Sequence, residues 1–286
     1  MKTVCRVCAG RCALEEGQTG FCKVRVNRDG IITSNAYGKV TSLALDPIEK
    51  KPLNYFYPGS RILSVGSYGC NFACPFCQNH EISMAGEREI IDGLLPIYHL
   101  SPGEAVKMAA EYVNRGNIGI AYTYNEPLIN YEYVRDCAIP AREMGLKNVV
   151  ITNGSVSLEV LDEVLPWIDA FNIDLKGFTD NFYRMVHGEL EDVKRFIVRA
   201  AGKSHVEITT LIIPGLNDTE REIEEMAEWI ASVRRDIPLH LNRFFPRYKM
   251  TDRGGAFVLG FRQLRAQPTY LVASGILESL VLPCKF

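Results

Sequence analysis

Six short β-branched runs, each but the last followed by a longer amphipathic stretch, predict an α/β fold in which parallel strands alternate with helices. The strand candidates are residues 62–65, 118–123, 148–152, 170–175, 206–213 and 239–245. The helical candidates between them cover 101–115, 131–144, 158–165, 180–202 (as one helix or two) and 219–234. Neighbouring parallel strands need a long crossover, which these helices supply. Six units are too few for a closed eight-fold barrel. The pattern fits an open, partial (β/α)6 barrel or a doubly wound sheet, and periodicity alone does not separate the two. Residues 1–60 differ: cysteines, glycines and alternating runs such as Lys23-Val24-Arg25-Val26-Asn27 predict a small, β-rich, Cys-rich lobe supported by metal.

Boundary residues support individual helices. Ser101-Pro102-Gly103-Glu104 places a capping serine first, proline at the first helical position and a glutamate able to reach back. Val106, Ala109, Ala110 and Val113 follow at helical spacing. Thr219 and Glu222 offer a similar capping box ahead of Ile223, Met226 and Ile230.

Composition narrows the function classes. The 286 residues carry 32 basic and 34 acidic side chains, a formal charge of −2, so neither nucleic acid nor an anionic membrane has an electrostatic footprint to meet. No apolar run approaches the roughly 20 residues of a membrane span. The start, Met1-Lys2-Thr3-Val4-Cys5-Arg6, lacks the apolar stretch of a secretion signal, and a soluble cytoplasmic protein is expected. Of nine cysteines, seven fall in two groups: Cys5, Cys8, Cys12 and Cys22, then Cys70, Cys74 and Cys77. In a cytosolic chain such groups read as metal or redox sites rather than disulfides.

Function in either sheet architecture gathers beyond the carboxyl ends of the strands. After the first strand comes Gly69-Cys70-Asn71-Phe72-Ala73-Cys74-Pro75-Phe76-Cys77-Gln78-Asn79. Three thiolates suit a soft metal centre. A [4Fe–4S] cluster usually takes four cysteines, so three leave one iron open to an external ligand. A zinc site, or an electron-transfer cluster completed by Cys137, is the alternative. Alternation puts Asp174 and Lys176 on one strand face, where they bind a ligand or close the barrel as an ion pair. His240 and Asn242 share a face of the sixth strand, and His240 acts as a proton shuttle or as hydrogen-bonded packing. The four amino-terminal cysteines suit tetrahedral zinc or a complete iron–sulfur cluster.

The Cys70–x3–Cys74–x2–Cys77 run, with Phe76 before the last cysteine, resembles the radical S-adenosylmethionine signature. The resemblance implies a partial barrel, a [4Fe–4S] cluster on these three cysteines, and S-adenosylmethionine bound at the open iron through its amino and carboxylate groups. Reduction then gives a 5′-deoxyadenosyl radical, with Phe76 against the adenine. Tyr122-Thr123-Tyr124-Asn125-Glu126-Pro127 stands where that superfamily has a Gly-Gly-Glu-Pro-like segment binding the cofactor's ammonium. Here Tyr124-Asn125 replaces the two glycines, and Glu126 keeps the carboxylate. Thr152-Asn153-Gly154, Asp174-Leu175-Lys176 and Pro214-Gly215 resemble segments of glycyl-radical-enzyme activases. Phe76, Asn125, Glu126, Asn153, Asp174, Lys176 and His240 are the implied cofactor shell.

At closer range the chain resembles the radical S-adenosylmethionine enzyme of the AmmeMemoRadiSam system, a relative of pyruvate formate-lyase activase. The match runs through Gly20-Phe21-Cys22-Lys23-Val24-Arg25, Asp46-Pro47-Ile48-Glu49-Lys50-Lys51-Pro52-Leu53 and the strand-end segments as far as Arg253. It implies a radical initiator that abstracts hydrogen from an undefined substrate, a protein or peptide among the candidates, with a ferredoxin- or flavodoxin-like low-potential donor. Glycyl-radical activation is the runner-up, and a non-catalytic electron-transfer or zinc-binding protein is the reading from another class. The expected organisation is a lobe over 1–60, a core over 61–253 and a tail over 254–286 that departs from the family pattern. A shifted reading frame or altered terminus is expected to account for that departure.

Overall fold

A computed structural model describes residues 2–252, 254 and 271–274. One eight-stranded sheet dominates it. Its strands are β1 (Ser42–Pro47), β2 (Arg61–Gly66), β3 (Asn117–Tyr122), β4 (Lys147–Thr152), β5 (Ala170–Asp174), β6 (His205–Ile212), β7 (Leu239–Arg243) and β8 (Leu271–Ser274). They lie in sequence order across the sheet. β1 is antiparallel to β2, and every other neighbouring pair is parallel. The six predicted strands are β2 to β7, and the sheet carries one more strand at each edge. Ser42–Pro47, read in sequence with the lobe, pairs along its whole length with β2. Apart from Gly254 and β8, the predicted tail lies outside the described residues.

The crossover helices are α1 (Pro102–Glu111), α2 (Tyr131–Glu143), α3 (Leu158–Val164), α4 (Asp180–Val186), α5 (Leu190–Ala201) and α6 (Glu220–Val233). Ser101 caps α1 as predicted: its hydroxyl accepts the Glu104 N–H at 3.3 Å and the Glu104 carboxylate accepts the Ser101 N–H at 2.8 Å. At α6 only half of the predicted box forms. Thr219 accepts the Glu222 N–H at 3.2 Å, but the largely buried Glu222 carboxylate accepts the Phe178 N–H at 2.7 Å instead. A buried carboxylate goes to the donor that lacks another partner. The 180–202 stretch divides into α4 and α5 at His187, which adopts a left-handed conformation with φ 64°.

The two faces of the sheet bury different layers. Ile120, Tyr122, Val150, Phe171, Ile173, Val206 and Ile208 belong to the large core that includes the helices. On the other face Ala121, Val149 and Ala170 are lateral neighbours and pack with Ile48, Leu53, Phe56 and Ile62. The segment after β1 thus covers the inner face of the sheet. Asn172 Nδ2 donates to the Pro52 carbonyl at 2.9 Å, and the Glu207 carboxylate accepts the Asn54 and Tyr55 N–H groups at 3.0 and 2.9 Å.

The amino-terminal lobe consists of two antiparallel pairs, Thr3–Val4 with Ala13–Leu14 and Arg25–Arg28 with Ile31–Ser34. It docks beyond the carboxyl end of β4, where Cys8 bridges to Val156 and the Ser157 N–H donates to the Val7 carbonyl at 2.9 Å.

Candidate active site

The three-cysteine loop leaves the carboxyl end of β2 and is fixed from several sides. Asn125, just beyond β3, accepts the Ser67 N–H at 3.0 Å through Oδ1, and its Nδ2 donates to the Tyr68 and Gly69 carbonyls at 3.0 Å each. The Ala73 N–H donates to the Val186 carbonyl at 3.0 Å. Gly188, after α4, lies so close that a Cβ there would stand 2.5 Å from the Phe72 ring. From the far side, the Lys249 N–H donates to the Pro75 carbonyl at 3.0 Å, and Tyr248 stacks on His80 at 4.3 Å between centroids. Phe76 is buried and faces Phe182 with centroids 6.0 Å apart.

Burial raises the pKa of the Cys70 thiol well above its ordinary value and pushes Cys74 up to about 12. Thiols so placed ionise only against a compensating positive charge, which a bound metal centre supplies. Some of that charge is already present. The Lys176 ammonium is 2.7 Å from the Asp174 carboxylate, and its charge favours the Cys74 thiolate against the burial that opposes it. Burial works against the Lys176 charge, yet Asp174 and the Cys74 and Cys77 sulfurs together hold its pKa above the usual lysine value. Cys70 receives the Phe72 N–H at 3.4 Å, and Asn153 Nδ2 stands 3.8 Å from its sulfur.

Glu126 is buried at the carboxyl ends of β3 and β4, 2% exposed. Its Oε1 accepts from the Thr152 hydroxyl at 2.8 Å and the Leu128 N–H at 3.0 Å, and its Oε2 accepts the Asn153 N–H at 2.8 Å. Burial outweighs those three donors and raises its pKa to about 7. A cation arriving beside it would relieve that cost.

Asn125, Glu126, Asn153, Asp174 and Lys176 therefore gather around the thiols. His240 is held differently. It is fully buried, with Nε2 2.6 Å from Glu207 Oε2, and Glu207 in turn receives the backbone that covers the inner sheet face. Cys137 is fully buried in α2 among Val134 and Ala138, a small hydrophobe in the helix core. Sequence reasoning missed Asn71, whose Oδ1 accepts from Asn153 Nδ2 at 2.8 Å and whose Nδ2 donates to the Ser155 carbonyl at 2.8 Å. Its position inside the cysteine run was the available signal.

The departure at Tyr124 has a structural cause. Tyr124 holds the left-handed conformation suited to glycine, φ 73°, while its hydroxyl donates to Asp46 at 2.7 Å and its ring lies 4.5 Å beneath the Lys51 ammonium. Lys51 also binds Asp46 at 2.8 Å. The Asp46-to-Leu53 run is thus the partner that holds a tyrosine at a glycine's position.

The chemistry of the donors fits an iron–sulfur cluster. Three thiolates on one short loop are the soft donors that iron takes, one to each of three irons of a cube.

The fold and its thiol loop define a parallel-sheet α/β enzyme of the cluster-binding kind. The chain belongs to the Radical SAM superfamily, whose sequence model matches residues 64–230. Members of that superfamily use a [4Fe–4S] cluster and S-adenosylmethionine. The chain is 42% identical over 256 residues to the uncharacterized protein MJ0808 of Methanocaldococcus jannaschii, covering 88% of this chain and 73% of that one. To the pyruvate formate-lyase-activating enzyme of Clostridium pasteurianum it is 25% identical over 184 residues, 62% of this chain and 72% of the relative. SuiB of Streptococcus suis shares the fold, with TM-score 0.56 at 10% identity over 73% of this chain. The chain covers 48% of SuiB, about half its length, and SuiB has also been crystallised with S-adenosylmethionine.

Proposed function

We propose that this enzyme cleaves S-adenosylmethionine reductively at Cys70, Cys74 and Cys77 and uses the resulting radical to take hydrogen from a protein or peptide. The observation that carries the reading is the convergence of Glu126, Asn153, Asp174 and Lys176 on the thiol loop from three successive strand ends. A [4Fe–4S] cluster held by Cys70, Cys74 and Cys77 would supply the single electron for reductive cleavage of the S–C5′ bond of S-adenosylmethionine.

The residues of the chain divide the remaining work. Glu126 offers its carboxylate to the cofactor's ammonium, a charge-assisted bond that compensates its own burial. Asn153 and Asn125 position that carboxylate and the loop. Lys176, held by Asp174, offsets the negative charge of the thiolates. Phe76 presents an aromatic face to the adenine. His240 is paired with Glu207, which anchors the Asn54 and Tyr55 backbone, and takes no assigned part in the site. A ferredoxin- or flavodoxin-like donor and a reducing cytoplasmic setting complete the reading.

A glycine of another enzyme's backbone is the second candidate substrate, favoured by the similarity to enzymes named for pyruvate formate-lyase activation. The test is anaerobic reconstitution, addition of dithionite and S-adenosylmethionine, and quantitation of 5′-deoxyadenosine. The product forms with the unsubstituted chain and is lost in Cys74→Ala; a protein whose Cys70, Cys74 and Cys77 site is shown by EPR to hold its cluster and that still forms none sinks the proposal.

A further inference from the structure

Cys5, Cys8, Cys12 and Cys22 line one pocket of about 250 Å³ between the amino-terminal lobe and the loops that carry Asn71, Ile129 and His187. Backbone N–H groups point at three of these sulfurs: Val7 at Cys5, Gly10 at Cys8, and Arg25 at Cys22, the last at 3.5 Å. The pocket wall also contains Arg25, a buried guanidinium. It is held in place by a bidentate pair with Glu132 and by the Ile129 carbonyl at 2.6 Å.

The pocket has the size for a cluster. The pocket volume is about eight times the roughly 30 Å³ share of one water molecule, room for the eight core atoms of a four-iron, four-sulfide cube and far more than one ion fills.

The pocket is also next to the catalytic loop. Asn71 lines it, is the chain neighbour of Cys70, and hydrogen-bonds to Asn153, whose amide faces the Cys70 sulfur. We infer that Cys5, Cys8, Cys12 and Cys22 hold a second, fully ligated [4Fe–4S] cluster that relays single electrons from a low-potential flavodoxin- or ferredoxin-class donor through the Asn71 region to the catalytic site. The relay rests on the proposed function above; the cluster does not. In each transfer the second cluster is oxidised by one electron and the catalytic centre reduced by one, with no bond made or broken.

The test uses the full chain, reconstituted anaerobically, with iron, zinc and acid-labile sulfide analysis and EPR of the dithionite-reduced protein. With Cys70, Cys74 and Cys77 all changed to alanine, about four irons and about four sulfides per chain remain, with a signal that S-adenosylmethionine does not alter. In Cys8→Ala/Cys12→Ala the complementary set of about four irons remains, and its S-adenosylmethionine-sensitive signal reports a folded barrel. That double variant forms 5′-deoxyadenosine with dithionite within about twofold of the unsubstituted rate but loses about tenfold or more when reduced flavodoxin is the donor. Zinc without sulfide in the triple variant, or no metal there, overturns the cluster. Equal flavodoxin-driven rates in the double variant and the unsubstituted chain overturn the relay. Failure of the unsubstituted chain to cleave S-adenosylmethionine sinks the catalytic reading while the iron count of the triple variant stands.

Discussion

The Tyr124 hydroxyl donates to the Asp46 carboxylate at 2.7 Å, joining the antiparallel edge strand to the turn that follows β3. That turn carries Asn125 and Glu126, so the bond links the edge of the sheet to the residues that brace the thiol loop. Asp46 is accordingly held as a carboxylate: burial opposes its charge, but Lys51 and Tyr124 together bring its pKa below the usual range.

Tyr124→Phe removes one donor to a charged acceptor and leaves the ring on Lys51. A loss of about 2 kcal/mol in urea unfolding is expected. An unchanged midpoint would show that the hydroxyl contributes nothing net.

Lys51 is 3% exposed at its side chain, and Asp46 is 10% exposed. Lys51→Met leaves a buried carboxylate with only the exposed Lys50 at 3.3 Å for an ionic partner. The expected cost is about 3 kcal/mol. Asp46→Asn in the same chain should recover part of it, and a double variant as unstable as the sum of the two singles would exclude coupling between them.

Glu207 gives a pH dependence. Burial raises its pKa, but His205, His240 and the Tyr55 N–H outweigh that and lower it from 4.5 to about 2. With a lowered carboxyl pKa, the unfolded chain takes up the proton first as pH falls. The stabilisation is therefore complete above about pH 4.5 and is lost as pH falls through about 2, in all about 3 kcal/mol. Urea unfolding of metal-free protein checks this: the gap between the unsubstituted chain and Glu207→Gln closes as the pH is lowered from 6 towards 2, and a constant gap would contradict the assignment.

Lys176→Met removes the cation beside Cys74 and Cys77. The reduced centre carries one more negative charge than the oxidised one, so its midpoint potential should become more negative. Formation of 5′-deoxyadenosine should fall by about tenfold with iron content unchanged. An EPR redox titration that finds the same midpoint would reduce Lys176 to a partner of Asp174.

Gly119 marks the tightest approach between β3 and β4, where a Cβ would stand 1.8 Å from the Lys147 carbonyl oxygen. Backbone cannot yield as a side chain does, so Gly119→Ala should cost about 3 kcal/mol or more, or prevent folding. A melting temperature within a degree of the unsubstituted chain would refute the close packing.

The sequence by itself determined the alternation of strands and helices, because each element's hydrophobic period and caps are local properties of consecutive residues. Ser101 and Glu104 cap α1 for that reason, and the thiol loop was legible because its three cysteines are close in the chain. The tertiary structure decided what depends on residues far apart. Glu222 turned from its own helix to Phe178 because burial makes any unpartnered donor costly. Asp46 and Lys51 found Tyr124, Glu207 engaged His240, and Lys176 came beside Cys74 through strand register and the packing of loops beyond the strand ends. Two cysteine groups 48 residues apart, from Cys22 to Cys70, became neighbours across Asn71 by the same means. Periodicity specifies which face a residue occupies; only packing specifies what stands opposite it.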